Sequence, residues 1–365
     1  MPAQTDRRAF LTTTVVGAGA LLAGSALGQG PAEDVAAAET TAGAAFLPTE
    51  VQWRPAWLSW VAATTTCLRS LGVDCDLVDV AGASGYAFSM AMYDNANVAG
   101  PTTVRRSLLA DGLRHLGRTT LQFDSGDWYL TDELTEADRG HCRALYDLVA
   151  GEIAAGRPCV IWGTYLPEYG VVTGVEDGGY HVLCHRLLTG EPMEPIDITA
   201  LQAPGGLYGL AFPSPTDATV GHGDRQSVVR AIEVHRQVSG TADYCFGLGA
   251  YDLWIRALEE GIADGFGHAY CSQCYAESRR LAADYLLRLA DRNEQMAEPL
   301  SVAAEDYAEA AEALERMAAA FPFPAQGELE DRRRVAGALE DLHCAAEAEA
   351  RSGEPLAEAL DMWPD

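Results

Sequence analysis

The chain has 365 residues, 48% of them hydrophobic, which is enough for a large buried core and, by length, for two domains. Its 53 acidic residues outnumber 25 basic ones, giving a formal net charge of -28. That balance argues against a general nucleic-acid binder and against docking on anionic lipid, and it reads as a solubilising acidic surface.

The first 28 residues form a targeting segment. Thr5-Asp6-Arg7-Arg8-Ala9-Phe10-Leu11 is followed by a Gly- and Ala-rich apolar run from Thr12 to Leu27, and Ala26-Leu27-Gly28 offers a small-residue cleavage site. The pattern resembles a twin-arginine export signal. It implies an exported protein, periplasmic or extracellular, that folds before crossing the membrane. Such export is often linked to a cofactor, but no motif here names one. No other stretch is apolar enough to span a bilayer, so no stable membrane insertion is expected after cleavage. The nine cysteines are odd in number and scattered, unlike the framework of a small disulfide scaffold.

Residues 29–50 lack periodicity and read as a flexible linker. Residues 51–216 read as an α+β domain. Trp57, Trp60, Val61, Thr64, Leu68 and Leu71 fall at helical spacings, with Gly72 as the stop. Asp76 to Val80 alternates as a strand, and Gly82 to Phe88 reads as a glycine-rich run leading into an aromatic strand. A helix over Val104–Leu116, a strand at Leu121–Phe123 and a helix over Asp132–Ala155, capped by Thr131 or Thr135, follow. Cys159–Trp162 is a buried strand. Tyr169–Val175 and Tyr180–His185 form a hairpin around Asp177-Gly178-Gly179, and Leu207–Phe212 is a last strand. Residues 224–365 read as helices only, punctuated by Gly265-Phe266-Gly267, Pro299 and Pro322-Phe323-Pro324.

The order of elements from residue 53 to 212 resembles papain-like cysteine-peptidase folds, and more closely the N-terminal domain of butirosin biosynthesis protein H and its relatives. Three parts carry the likeness: the opening helix ending in Leu71-Gly72; the run Gly82-Ala83-Ser84-Gly85-Tyr86-Ala87-Phe88; and Gly156-Arg157-Pro158-Cys159-Val160-Ile161 with Leu166-Pro167 and the hairpin from Val171 to Asp177. The resemblance implies a nucleophilic Cys at the start of the first helix, a His at the start of the hairpin's first strand, and an Asp or Asn at the end of the second, for acyl transfer or amide cleavage. This chain departs from that pattern. Ser59 lies nearest the Cys position, and the His position falls on Glu168 or Tyr169. A degenerate domain is therefore expected, binding a small molecule or peptide between the two domains, with Ser59, Tyr86, Trp162, Glu168 and Tyr169 as candidate ligand residues.

Two alternatives stand beside it. A cysteine-dependent acyltransferase or amidohydrolase would pair Cys67 with His185, which the hairpin brings to the same end as Tyr169. A metal- or partner-binding helical module would use His268, Cys271 and Cys274, whose spacing suits part of a zinc site, although the same residues lie on one helical stripe that core packing would also explain. Tyr244, Phe246, Tyr251, Trp254, Phe266 and Tyr270 could line a pocket between the domains or pack as aromatic core.

Overall fold

The computed structural model describes residues 44–126, 133–236, 243–324 and 329–363. The export pattern and its cleavage site lie outside them. The architecture is α+β, with an antiparallel sheet in the N-terminal part and a helical C-terminal part.

Strand β1 (Ala45–Phe46) falls inside the stretch read as linker and pairs with the hairpin instead. Helix α1 (Ser59–Ser70) comes next. Trp60 through Leu68 are all buried, so this helix runs through the core rather than along a surface. The expected strand at Asp76–Val80 is a helix, α2 (Leu77–Ser84). The Asp76 carboxylate accepts from the Val78 and Asp79 amides, and the Asp76 amide donates to the Asp79 carboxylate in return. This reciprocal cap outweighs the alternation of apolar side chains. The run from Gly82 to Phe88 is likewise helical, ending α2 and continuing into a 3-10 turn at Tyr86–Phe88. Gly82 is required there because a Cβ would fall 2.0 Å from the ring of Tyr285.

Next come β2 (Ala91–Tyr93), α3 (Arg106–Gly112), β3 (Leu121–Asp124) and α4 (Glu136–Ala154), the last capped by Thr135 in a box with Asp138. Strands β4 (Cys159–Trp162), β5 (Tyr169–Glu176), β6 (Gly179–Leu183), β7 (Ile196–Asp197) and β8 (Tyr208–Ala211) complete the main sheet. Its order is β3-β8-β4-β5-β6-β7, with β1 on the far end of β5. The β5–β6 turn is the one expected: Asp177 and Gly178 both have positive φ, 47° and 77°, as a two-residue primed turn demands.

The C-terminal part holds α5 (Asp224–His235), β9 (Tyr244–Phe246), α6 (Gly249–Glu259), α7 (Gly265–Arg292), α8 (Ala297–Ala320) and α9 (Arg332–Asp361). Helices make up most of this part as expected, but β9 is a strand where only helices were expected, and it is held there by pairing with β2. The packing crosses the boundary between the parts. Strands β2 and β9 pair with each other, α7 lies against α2, and one core runs from Val160 and Leu210 of the sheet to Val228, Leu281 and Tyr307 of the helices. Among the described residues no helix is long and apolar enough to cross a membrane.

Candidate functional site

The first residue of α1 is Ser59, so its hydroxyl stands at the end of a helix where the backbone amides are left without helical acceptors. Helix α7 fixes that end. The Glu277 carboxylate accepts the Leu58 amide at 2.8 Å, and the Cys274 thiol reaches the Trp57 carbonyl at 3.7 Å. Opposite Ser59 is the tight turn that precedes β5. The amides of Gly163 and Thr164 donate to the Glu168 carbonyl, and Gly163 takes a φ of 79° with its Cα against the Gln202 backbone. This turn aims the Glu168 side chain at the start of α1.

Three side chains meet there. Ser59 Oγ donates a short hydrogen bond to Glu168 Oε2, and Tyr270 of α7 donates to Glu168 Oε1 at 2.5 Å. The Tyr169 amide donates to Ser59 Oγ at 3.2 Å, which holds the hydroxyl from a second side. Burial pushes the Glu168 carboxyl up from its ordinary range, while the bonds from Ser59 and Tyr270 favour its ionised form and partly oppose the rise. Burial also raises Glu277, to about 7, against the pull of the Leu58 and Trp57 amides.

An aromatic rim adjoins this polar set. Trp57, which is 37% exposed, meets Phe323 edge-on at 5.5 Å and Tyr270 at 6.3 Å, and Phe323 also meets Phe266 at 4.8 Å. Ser59 and Glu168 are themselves half-buried. The site therefore draws Trp57, Ser59 and Glu168 from the α+β part and Phe266, Tyr270, Glu277 and Phe323 from the helical part. The arrangement offers a polar carboxylate–hydroxyl pair beside apolar ring faces.

The other candidate residues play different parts. Tyr169 is buried, and its hydroxyl accepts from Arg106 Nε at 3.2 Å. Trp162 is buried too, donating to the Pro204 carbonyl at 2.9 Å and packing on Tyr169. Tyr86 lies beneath α1, stacked on Trp60 at 5.8 Å, with its hydroxyl on the Pro101 carbonyl. These three support the site from below and present no surface to a ligand.

The environments of Cys67 and His185 do not favour a cysteine nucleophile, and His185 Nδ1 has no hydrogen-bond partner among the described residues. Cys67 lies two helical turns beyond Ser59 and has no solvent exposure; burial alone pushes its thiol far above the ordinary range. His185 begins a 3-10 turn after β6, where burial and then Arg186 lower its pKa. A thiolate nucleophile needs the opposite environment for the sulfur, an adjacent cation or open helix end. No disulfide joins the described cysteines.

The metal reading also fails on geometry. His268 is fully buried, its Nδ1 accepts from Trp254 Nε1 at 2.9 Å, and burial lowers its pKa to about 4. The thiols of Cys271 and Cys274 reach separate carbonyls, of Asn97 and Trp57. Among the described residues no group of three or more His, Cys, Asp or Glu side chains could hold a metal ion. The stripe on α7 is core packing.

Of the aromatic residues expected to line a pocket, Tyr251 and Trp254 are buried, Tyr244 and Phe246 sit in β9, and only Phe266 and Tyr270 reach the site. Two small clefts lie elsewhere. One is lined by Asp79, His115, Asp224 and Tyr285, the other by Ser89, Arg105, Val234 and Phe246. Neither touches Ser59 or Glu168. Glu277, Trp57 and Phe323 are site residues that the sequence does not single out as such. A carboxylate between Cys274 and Leu281 on an otherwise apolar helical stripe was the available signal.

Comparison with known proteins finds no family model that matches the chain and no curated protein similar to it.

Proposed function

We propose that the chain is an exported binding protein. In this reading its α+β part is a degenerate cysteine-peptidase-like domain, and a small molecule or peptide is held between the two parts at Ser59, Glu168 and Tyr270. The supporting observation is the hydrogen-bonded set itself. Ser59 lies nearest the position where the resemblance calls for a thiol, and the imidazole position falls on Glu168 or Tyr169; Ser59 bonds Glu168, and Glu168 accepts from Tyr270 of the helical part. The aromatic rim adds ring surface on which an apolar group can pack, and ligand sites commonly combine such surface with a few convergent polar groups. Export is inferred from the twin-arginine pattern alone. N-terminal sequencing of the protein recovered outside the cytoplasm tests it, with a new terminus near residue 29 as the expected result.

Binding is tested by tryptophan fluorescence, titrating the folded protein with a panel of N-acetylated aromatic and aliphatic amino-acid amides. A saturable change that Trp57→Phe removes and Tyr270→Phe weakens is the expected result. If no panel member binds, or if binding is indifferent to both substitutions, the reading fails.

A further inference from the structure

Ser59, Glu168 and Tyr270 are arranged in a way that a binding site does not require. The serine hydroxyl points its proton at a carboxylate, and that carboxylate is oriented on its other oxygen by a third group. This is the relation of nucleophile, base and orienting partner in covalent catalysis. We infer that Ser59 is an oxygen nucleophile, with Glu168 as its general base, acting on small carboxylic esters with an apolar acyl group. The inference rests on the same site as the binding reading and adds chemistry to it.

Several observations support it. The Tyr169 amide fixes Ser59 Oγ on one side, so the hydroxyl is held in place before any substrate arrives. Ser59 occupies the first position of α1 and is itself only half-buried, so its hydroxyl lies at the open end of that helix. Burial of Glu168 strengthens it as a base. The rim of Trp57 and Phe323 gives an apolar acyl group a surface to rest on. Esters are favoured over amides because a carboxylate is a weaker base than imidazole and needs the more electrophilic carbonyl.

The steps balance with water as the only co-reactant. Ser59 Oγ attacks the carbonyl carbon as its proton passes to Glu168 Oε2. The bond from that carbon to the alcohol oxygen then breaks, and the proton moves from Glu168 to the departing alcohol, leaving an ester on Ser59. Water adds to this ester and gives its proton to Glu168. The bond to Oγ breaks, the carboxylic acid leaves, and Oγ regains the proton.

The test treats the folded protein with a fluorophosphonate and maps the adduct by peptide mass spectrometry. The expected result is an adduct on Ser59, slowed about 100-fold or more in Glu168→Gln, with circular dichroism confirming that the variant is folded. Ser59→Cys gives an independent check of access: iodoacetamide should alkylate the new thiol well before Cys67. Two results would overturn the inference. In one, Ser59 stays unmodified while the Ser59→Cys thiol is alkylated, so the position is reachable but not activated. In the other, neither reacts, so the position is closed. If the fluorescence titration still shows Trp57-dependent binding in either case, only the chemistry is lost.

Discussion

Glu277 shows how one buried carboxyl makes the site sensitive to pH. Its folded pKa of about 7 lies above the ordinary glutamate value, so the folded state holds the proton more tightly than the unfolded chain. The resulting stability is fully present below about pH 4.5 and is lost as pH rises through 7. The size is on the order of 1–3 kcal/mol. Glu277→Gln keeps an acceptor for the Leu58 amide and removes the titration. Its thermal midpoint should change less between pH 5 and 8 than that of the wild type, and should exceed it at pH 8. Equal slopes in the two proteins would show that Glu277 does not titrate in this range. At the same scale, Cys67 should resist iodoacetamide in the folded protein, while the part-exposed Cys245 and Cys344 react first. Peptide mapping over time reads this directly, and early labelling of Cys67 would restore the cysteine reading.

Among the elements, α2 carries the clearest consequence. Its Asp76 cap also forms a two-point ion pair with Arg288 of α7, at 2.7 and 2.8 Å, so one side chain ends a helix and ties it to the helical part. Asp76→Ala should cost about 1–2 kcal/mol in denaturant melts, the typical worth of a cap. Gly82→Ala should cost about 1–3 kcal/mol, because the ring of Tyr285 must move to admit a methyl group. If Gly82→Ala leaves the midpoint unchanged, α2 and α7 do not meet as described. These two residues also mark the limit of what could be read from the sequence. The hairpin is legible because Asp177-Gly178 specifies its own turn, and α4 because Thr135 is a cap residue ahead of a long helical pattern, although Thr131 offers itself as well. In an eight-residue helix, alternation and helical spacing look alike, and only the Asp76-x-x-Asp79 cap separates the two. Ser59 and Glu168 were legible as positions only. The bond of Glu168 to Tyr270 depends on a contact between residues 102 apart in the chain, which no local pattern encodes.

Across the whole molecule, the two parts fold as neighbours that share their interior. All 25 basic residues are arginines, and one of them pins the helical part internally. Arg279 is fully buried and makes a two-point pair with Glu349 of α9, at 2.8 and 2.9 Å. It also donates to the Ser89 carbonyl, and Tyr251 donates to Glu349. Arg279→Ala strands a buried carboxylate and should cost about 3–5 kcal/mol, whereas the double change Arg279→Met with Glu349→Leu should cost less. Denaturant melts of both variants check the order. Because Arg279 and Tyr270 lie on the same helix, α7 carries both this anchor and the far wall of the candidate site.

The claim that the two parts build one site at Ser59, Glu168 and Tyr270 is tested most directly by hydrogen-exchange footprinting. The protein would be compared with and without the tightest-binding member of the acetylated amide panel. Protection should appear together at residues 57–61, 166–170 and 266–277, segments far apart in sequence. Protection confined to the clefts beside His115 or Phe246, or to one part alone, would contradict it.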